Sequence, residues 1–174
     1  MIGEKMQDAM NQQIKHELES AYIYLSMCAY FHSLGLDGMA QWMRGQTDEE
    51  VMHAMKFFDH INGRDGKVEL LPLSQPEKDW DSPLAAFQAA YKHEQFITGK
   101  INDLAKLAVD ENDFAAGSML KWFIDEQVEE EANTSAVVQT LERIGDSGHG
   151  LVMVDRELGA RQVLGAAFAL APAE

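Results

Sequence analysis

The sequence predicts an all-α fold: four long helices in one bundle, a single long crossover at its middle, and a short fifth helix near the C-terminus. Three observations predict it. Apolar residues recur at steps of three and four through four long stretches, the period of a helix with one buried face. Glycine, proline and capping residues fall between those stretches. Two of the intervening connections are very short and the third is long, so the helices pair as two hairpins with a crossover between them.

The first helix is expected over residues 4–34. Met10, Ile14, Ala21, Cys28 and Phe31 lie on one stripe, and Gly35 supplies a C-terminal stop. Asp37 is the expected cap of a second helix over 37–64, with Met39, Met43 and Phe57 on its stripe and Gly63 and Gly66 ending it. Pro72 and Pro76 break any period between 65 and 82. Ser82-Pro83 reads as an N-cap followed by proline at the first helical position, which opens a third helix over 83–111. Asn112-Asp113 forms a turn into a fourth helix over 113–144, stopped by Gly145, Gly148 and Gly150. A fifth helix is expected over 151–166, before an apolar tail from Ala166 to Ala171. The middle connection has about 18 residues and can span roughly 60 Å, whereas a helix of about 27 residues is roughly 40 Å long. The loop can therefore run the whole length of the bundle.

The chain has 174 residues, suited to one domain. No apolar run is long enough to span a membrane, and residues 1–11 show no signal core. The single cysteine, Cys28, cannot form an intrachain disulfide and fits a reducing cytoplasm. A net charge of −15 disfavours nucleic acid and anionic membranes as partners and favours cations.

Extending the stripes exposes the feature on which function turns. Glu17 and Tyr24 fall on the first, Gln46, Glu50 and His53 on the second, Glu94 on the third, and Gln127, Glu130 and Thr134 on the fourth. Each stripe is apolar at most levels and polar near its middle. The four glutamates lie at depths that differ by roughly 9 Å, a gap that side chains from opposite walls close. No lysine or arginine occupies any of the stripes. Four buried bare carboxylates are strongly unfavourable, so they are protonated or surround cations. Two divalent ions carry +4 against their −4. Carboxylates with one imidazole suit iron or manganese better than structural zinc. Tyr24 and Gln127 are weaker ligands, and Tyr24 suits donation of a hydrogen bond to a ligand carboxylate. Trp122 and Tyr91, near the same depth, read as core packing. Glu49, Glu126 and Glu129 sit one position off the stripes and, on spacing alone, read as a solvated acidic face.

Glu17 with Tyr24, Glu50-x-x-His53, Glu94, and Gln127-x-x-Glu130, on four helices with a long crossover, resemble the bacterial non-haem ferritins. The resemblance covers nearly the whole chain and implies a ferritin-like four-helix bundle. It implies that Glu17, Glu50 and His53 hold one iron of a ferroxidase centre and that Glu50, Glu94 and Glu130 hold the second. Glu50 would bridge the two, with Gln127 close by. It also implies a third iron site from Glu49, Glu126, Glu129 and Glu130. Haem is not expected, because the position after Glu50 is Val51, where bacterioferritin has its haem-binding methionine, and Met52 is one place too late. Acids that line a threefold pore in vertebrate heavy-chain ferritin would fall at Gly117 and Leu120, which puts iron access by that route in doubt. The resemblance further implies a hollow cage of 24 subunits with the fifth helix around its fourfold pores.

The expected function is oxidation of Fe(II) by O2 or H2O2 and storage of Fe(III) mineral inside a homo-oligomeric cage. Two rivals stand beside it: a dimetal oxidase or peroxidase of a small substrate without cage formation, and a helical assembly subunit without metal dependence.

Overall fold

The computed structural model describes residues 1–160, and the regular elements there are all helices. They are α1 (Glu4–Ser33), α2 (Asp37–Asn62), α3 (Pro83–Asp110), α4 (Phe114–Ile144) and α5 (Gly148–Gly159). α1 packs on α2 and α3, α3 on α4, and α5 on α2 and α4. The expected continuation of the fifth helix to 166, and the apolar tail, lie outside the described residues.

The crossover runs the length of the bundle, and α1 holds it by satisfying loop backbone groups in register. The Gln7 side chain accepts from Lys67 N (2.8 Å), and Asn11 both donates to Lys67 O (3.1 Å) and accepts from Glu69 N (3.0 Å). Farther along, Glu19 accepts from Ser74 N (2.9 Å), Ser26 donates to Glu77 O (2.6 Å) and Tyr30 donates to Trp80 O (2.9 Å). Residue numbers rise together on both sides. The loop therefore travels parallel to α1, and α3 begins at the end of the bundle where α1 finishes. An irregular segment with no ladder of its own needs such partners for its backbone.

Helix ends follow local chemistry, with two departures from expectation. Ser82 Oγ accepts from Ala85 N and Asp113 from Ala116 N, so both act as N-caps. Gly35 (φ +70°) and Gly145 (φ +53°) turn the chain out of α1 and α4 in the left-handed region that glycine tolerates. Asp37 is not the cap of α2. It is the first helical residue, preceded by Leu36, and its carboxylate lies 2.9 Å from His32 Nδ1. The cap comes from another helix: Asp155 Oδ1 on α5 accepts from Met39 N (2.9 Å). The second departure is at the end of α4, where Gly145 alone ends the helix. Gly148 and Gly150 lie inside α5, whose cap Ser147 accepts from Gly150 N.

The core comes in two parts. One cluster joins Tyr24, Met27, Phe31, Met39, Met43, Phe87, Val137 and Leu141. The other joins Met10, Ile14, Phe57, Ile61, Ile97, Ile101, Leu120 and Phe123. A polar layer divides them, and each residue in it is fixed by the periodicity of its own helix.

Candidate metal centre

Glu17, Gln46, Glu50, His53, Glu94, Gln127, Glu130 and Thr134 are all buried, none more than 3% exposed. All four long helices contribute, as the stripes require. The hydrophobic clusters above and below exclude water, so a charge placed here is poorly screened.

One oxygen of each of Glu17 and Glu50 and one nitrogen of His53 lie within 4.8 Å of one another. Glu50 Oε2 is 3.4 Å from His53 Nδ1. The spacing of Glu50 and His53 accounts for this, since three residues is about one helical turn. Glu17 Oε2 and Glu50 Oε2 are buried without any hydrogen-bond donor. Buried polar atoms are ordinarily satisfied, and two orphaned carboxylate oxygens at one point are what a cation would satisfy. The donor set fits iron: hard oxygens with a single imidazole, arranged without a competing lysine or arginine.

Glu94 and Glu130 stand in the same layer, outside that 4.8 Å group. Tyr24 Oη donates to Glu94 Oε1, and Gln127 Nε2 donates to Glu94 Oε2 (3.2 Å). Gln46 Nε2 donates to Glu130 Oε2 (2.7 Å), and Gln13 Nε2 donates to Glu17 Oε1 (2.8 Å). Tyr24 thus occupies the donor position that its stripe suggests. Gln13 does not stand out in the sequence, because position 13 lies one off the α1 stripe at Ile14. Its one signal is its place a turn before Glu17 on the same helix.

Burial pushes the carboxyls of Glu17 and Glu50 well above the ordinary range, and neighbouring carboxylates push the same way. Glu130 is raised to about 7 by burial, then by the charges of Glu94 and Glu49. Glu94 is also raised by burial, although the Tyr24 and Gln127 donors oppose the shift. Tyr24 is held well above its usual value by burial and then by Glu94. Without cations the layer holds protons.

Glu49 and Glu126 are half-buried and Glu129 is exposed, on the faces of α2 and α4 beside this layer. Their oxygens do not join the close-set group around Glu17. Trp122 differs from the packing role expected of it. It is 38% exposed, stands edge-on to His53 with ring centres 5.4 Å apart, and carries Lys56 Nζ 4.1 Å over its face.

A crossover four-helix bundle with a buried carboxylate and histidine layer defines a class, and sequence comparison names it. The chain belongs to the ferritin family: the ferritin-like domain model matches residues 7–144. The bacterial non-heme ferritin of Bacteroides fragilis (strain 638R) is 37% identical over 161 residues, 92% of this chain and 100% of the relative. That of Staphylococcus aureus (strain USA300) is 35% identical over 92% of this chain and 97% of the relative. Among solved structures, the open-pore ferritin of the hyperthermophilic archaeon Archaeoglobus fulgidus is 48% identical. It covers 93% of this chain and 100% of its own, with a TM-score of 0.92. A closed form of that ferritin, engineered by site-directed mutagenesis, matches equally well, with a TM-score of 0.92 and 48% identity.

Proposed function

We propose that this chain is an iron-storage subunit with ferroxidase activity, and that Fe(II) is its substrate. The observation that carries the reading is the set of four buried glutamates with His53, two of whose oxygens have no donor. Glu17, Glu50 and His53 hold one Fe(II). Glu50, Glu94 and Glu130 hold the second, with Gln127 alongside. Two Fe(II) give up two electrons, which with two protons reduce one O2 to H2O2 or one H2O2 to two waters. Protons displaced from the raised carboxyls as iron binds leave oxygens free to accept the metal.

Glu49, Glu126 and Glu129 form a third iron site with Glu130 after its carboxylate turns outward. Among the described residues these oxygens do not form a close-set group, so this site assembles as iron arrives. The net charge of −15 draws cations toward the protein. Fe(III) leaves the centre to mineralise in the hollow of a 24-subunit cage. The single cysteine and the absence, among the described residues, of any helix long and apolar enough to cross a membrane support a cytoplasmic setting.

Stopped-flow absorbance after mixing anaerobic Fe(II)-loaded protein with O2 tests the centre. Glu50→Ala and His53→Ala should each slow Fe(III) formation at least about tenfold, the scale on which loss of one ligand or its support is felt. Parent-like rates in both variants would place oxidation elsewhere.

A further inference from the structure

The hydrogen bonds around the layer are distributed unevenly, and the unevenness sorts the four glutamates. Three of them have one oxygen engaged by a buried glutamine amide: Glu17 by Gln13, Glu130 by Gln46 and Glu94 by Gln127. Tyr24 takes the second oxygen of Glu94. Gln13 and Gln46 are themselves 2% and 0% exposed, so water does not compete for these donors. Glu50 is the exception. No glutamine or tyrosine donates to it: its Oε2 lies 3.4 Å from His53 Nδ1, and its carboxyl instead interacts with that of Glu17.

An amide donor occupies lone-pair space on the oxygen that it meets and offers no charge in return. A carboxylate held at one oxygen presents the other to a cation and does not readily chelate with both, and Glu94, held at both, gives up a donor when it takes its metal. Glu17 matches this pattern closely, because Gln13 holds Oε1 while Oε2 is the oxygen left without a donor. We propose that Gln13 and Gln46 are positioning residues: each holds one oxygen of its glutamate, Glu17 or Glu130, and so aims the other oxygen at the dimetal site. The proposal rests on the dimetal reading above. The two amides act from different places. Gln13 reaches Glu17 from one turn earlier on α1, and Gln46 crosses from α2 to Glu130 on α4. Gln46 therefore also fixes the lateral placement of Glu130 between two helices.

The test replaces each amide with a thioether of similar length that cannot donate: Gln13→Met and Gln46→Met, with the exposed neighbour Gln12→Met as control. Metal-stripped proteins are titrated with Co(II), which does not turn over, and followed by calorimetry and visible absorption. The parent and Gln12→Met should bind two Co(II) per chain at the buried layer, ahead of any weaker uptake at the outer acidic cluster. In the two test variants one of the two ions should bind roughly 10- to 100-fold more weakly, the range for removing a group that orients a ligand. A freed carboxylate that chelates with both oxygens raises the coordination number of Co(II), so the visible bands should also weaken. Packing defects alone would lower melting temperature without that spectral change. Parent binding of two ions, with unaltered isotherms and spectra in the folded variants, overturns the positioning role while the dimetal reading stands. A parent that takes up no pair of ions overturns both. The two variants lie on different helices, so a folding failure in one leaves the other to decide.

Discussion

Residue by residue, the centre is a balance between burial and charge. Glu130, raised to about 7 from an ordinary 4.5, shows its sign. The folded chain without metal holds a proton there that the unfolded chain has released. This proton's contribution to stability is complete below the unfolded value and is lost as pH rises through the folded one. Metal-stripped protein should therefore melt at lower temperature at pH 8 than at pH 5.5. Glu130→Gln removes that charge and keeps the shape. It should recover up to about 3 kcal/mol at pH 8 and much less at pH 5.5, since a tenfold difference in proton affinity between folded and unfolded chains corresponds to about 1.4 kcal/mol. Thermal denaturation followed by circular dichroism reads both. Equal gains at the two pH values would mean that Glu130 stays ionised in the folded state. Added Fe(II) or Zn(II) should stabilise the parent more than the variant if Glu130 is a ligand as proposed, because the group that costs stability when bare would then bind the ion.

At the scale of elements, the bundle is legible because its signals are local. Heptad stripes, Ser82-Pro83 and Gly35 act within a few residues of their own positions, and they place the long helices within a residue or two of those observed. The buried layer is legible for the same reason: Glu17, Glu50, His53, Glu94, Gln127 and Glu130 each carry the phase of their own helix. Features that depend on two distant segments are not legible. Asp37 has the chemistry of a cap, but the donor at Met39 meets Asp155 instead, because α5 folds back across the start of α2. The crossing is close. A Cβ on Gly38 would overlap the Asp155 carbonyl, and one on Gly159 would sit 2.9 Å from the Gly38 Cα. Asp155→Ala should cost about 1 kcal/mol, as loss of a cap does, with faster amide exchange confined to α5 and the first turn of α2. Gly38→Ala should release α5 altogether, since its obstacle is backbone and not a flexible side-chain end. Hydrogen exchange by mass spectrometry distinguishes the two. Uniform protection in Gly38→Ala would contradict this packing. Gln46 likewise shows its role only once α2 and α4 are side by side.

For the whole molecule, the isolated chain leaves large apolar side chains at the end of the bundle where α3 turns into α4. Val109 is 75% exposed and Phe114 84% exposed. Neither belongs to either core cluster, so neither is there for the stability of the subunit. Neighbouring exposed apolar residues on a folded surface mark a contact with another protein surface, and in a cage-forming family the nearest candidate is another copy of the chain. Phe114 allows a clean separation of folding from assembly. It is the first residue of α4, directly after the Asp113 cap, where a glutamate favours the helix through its dipole. Phe114→Glu should therefore leave the subunit's helix content and its Co(II) stoichiometry unchanged. Placed where copies meet, the same charge would be desolvated against apolar surface and would repel its equivalents on symmetry-related chains. Light scattering should then show the parent as a particle of roughly 470 kDa, 24 chains of 19.5 kDa, and the variant as much smaller species. A variant that still forms the full particle would show that this end of the bundle faces open solvent in the assembly, at a pore or on the outer surface. The proposed mineral core depends on that particle: subunits that oxidise Fe(II) without enclosing a cavity should precipitate Fe(III), whereas the parent should keep it in solution.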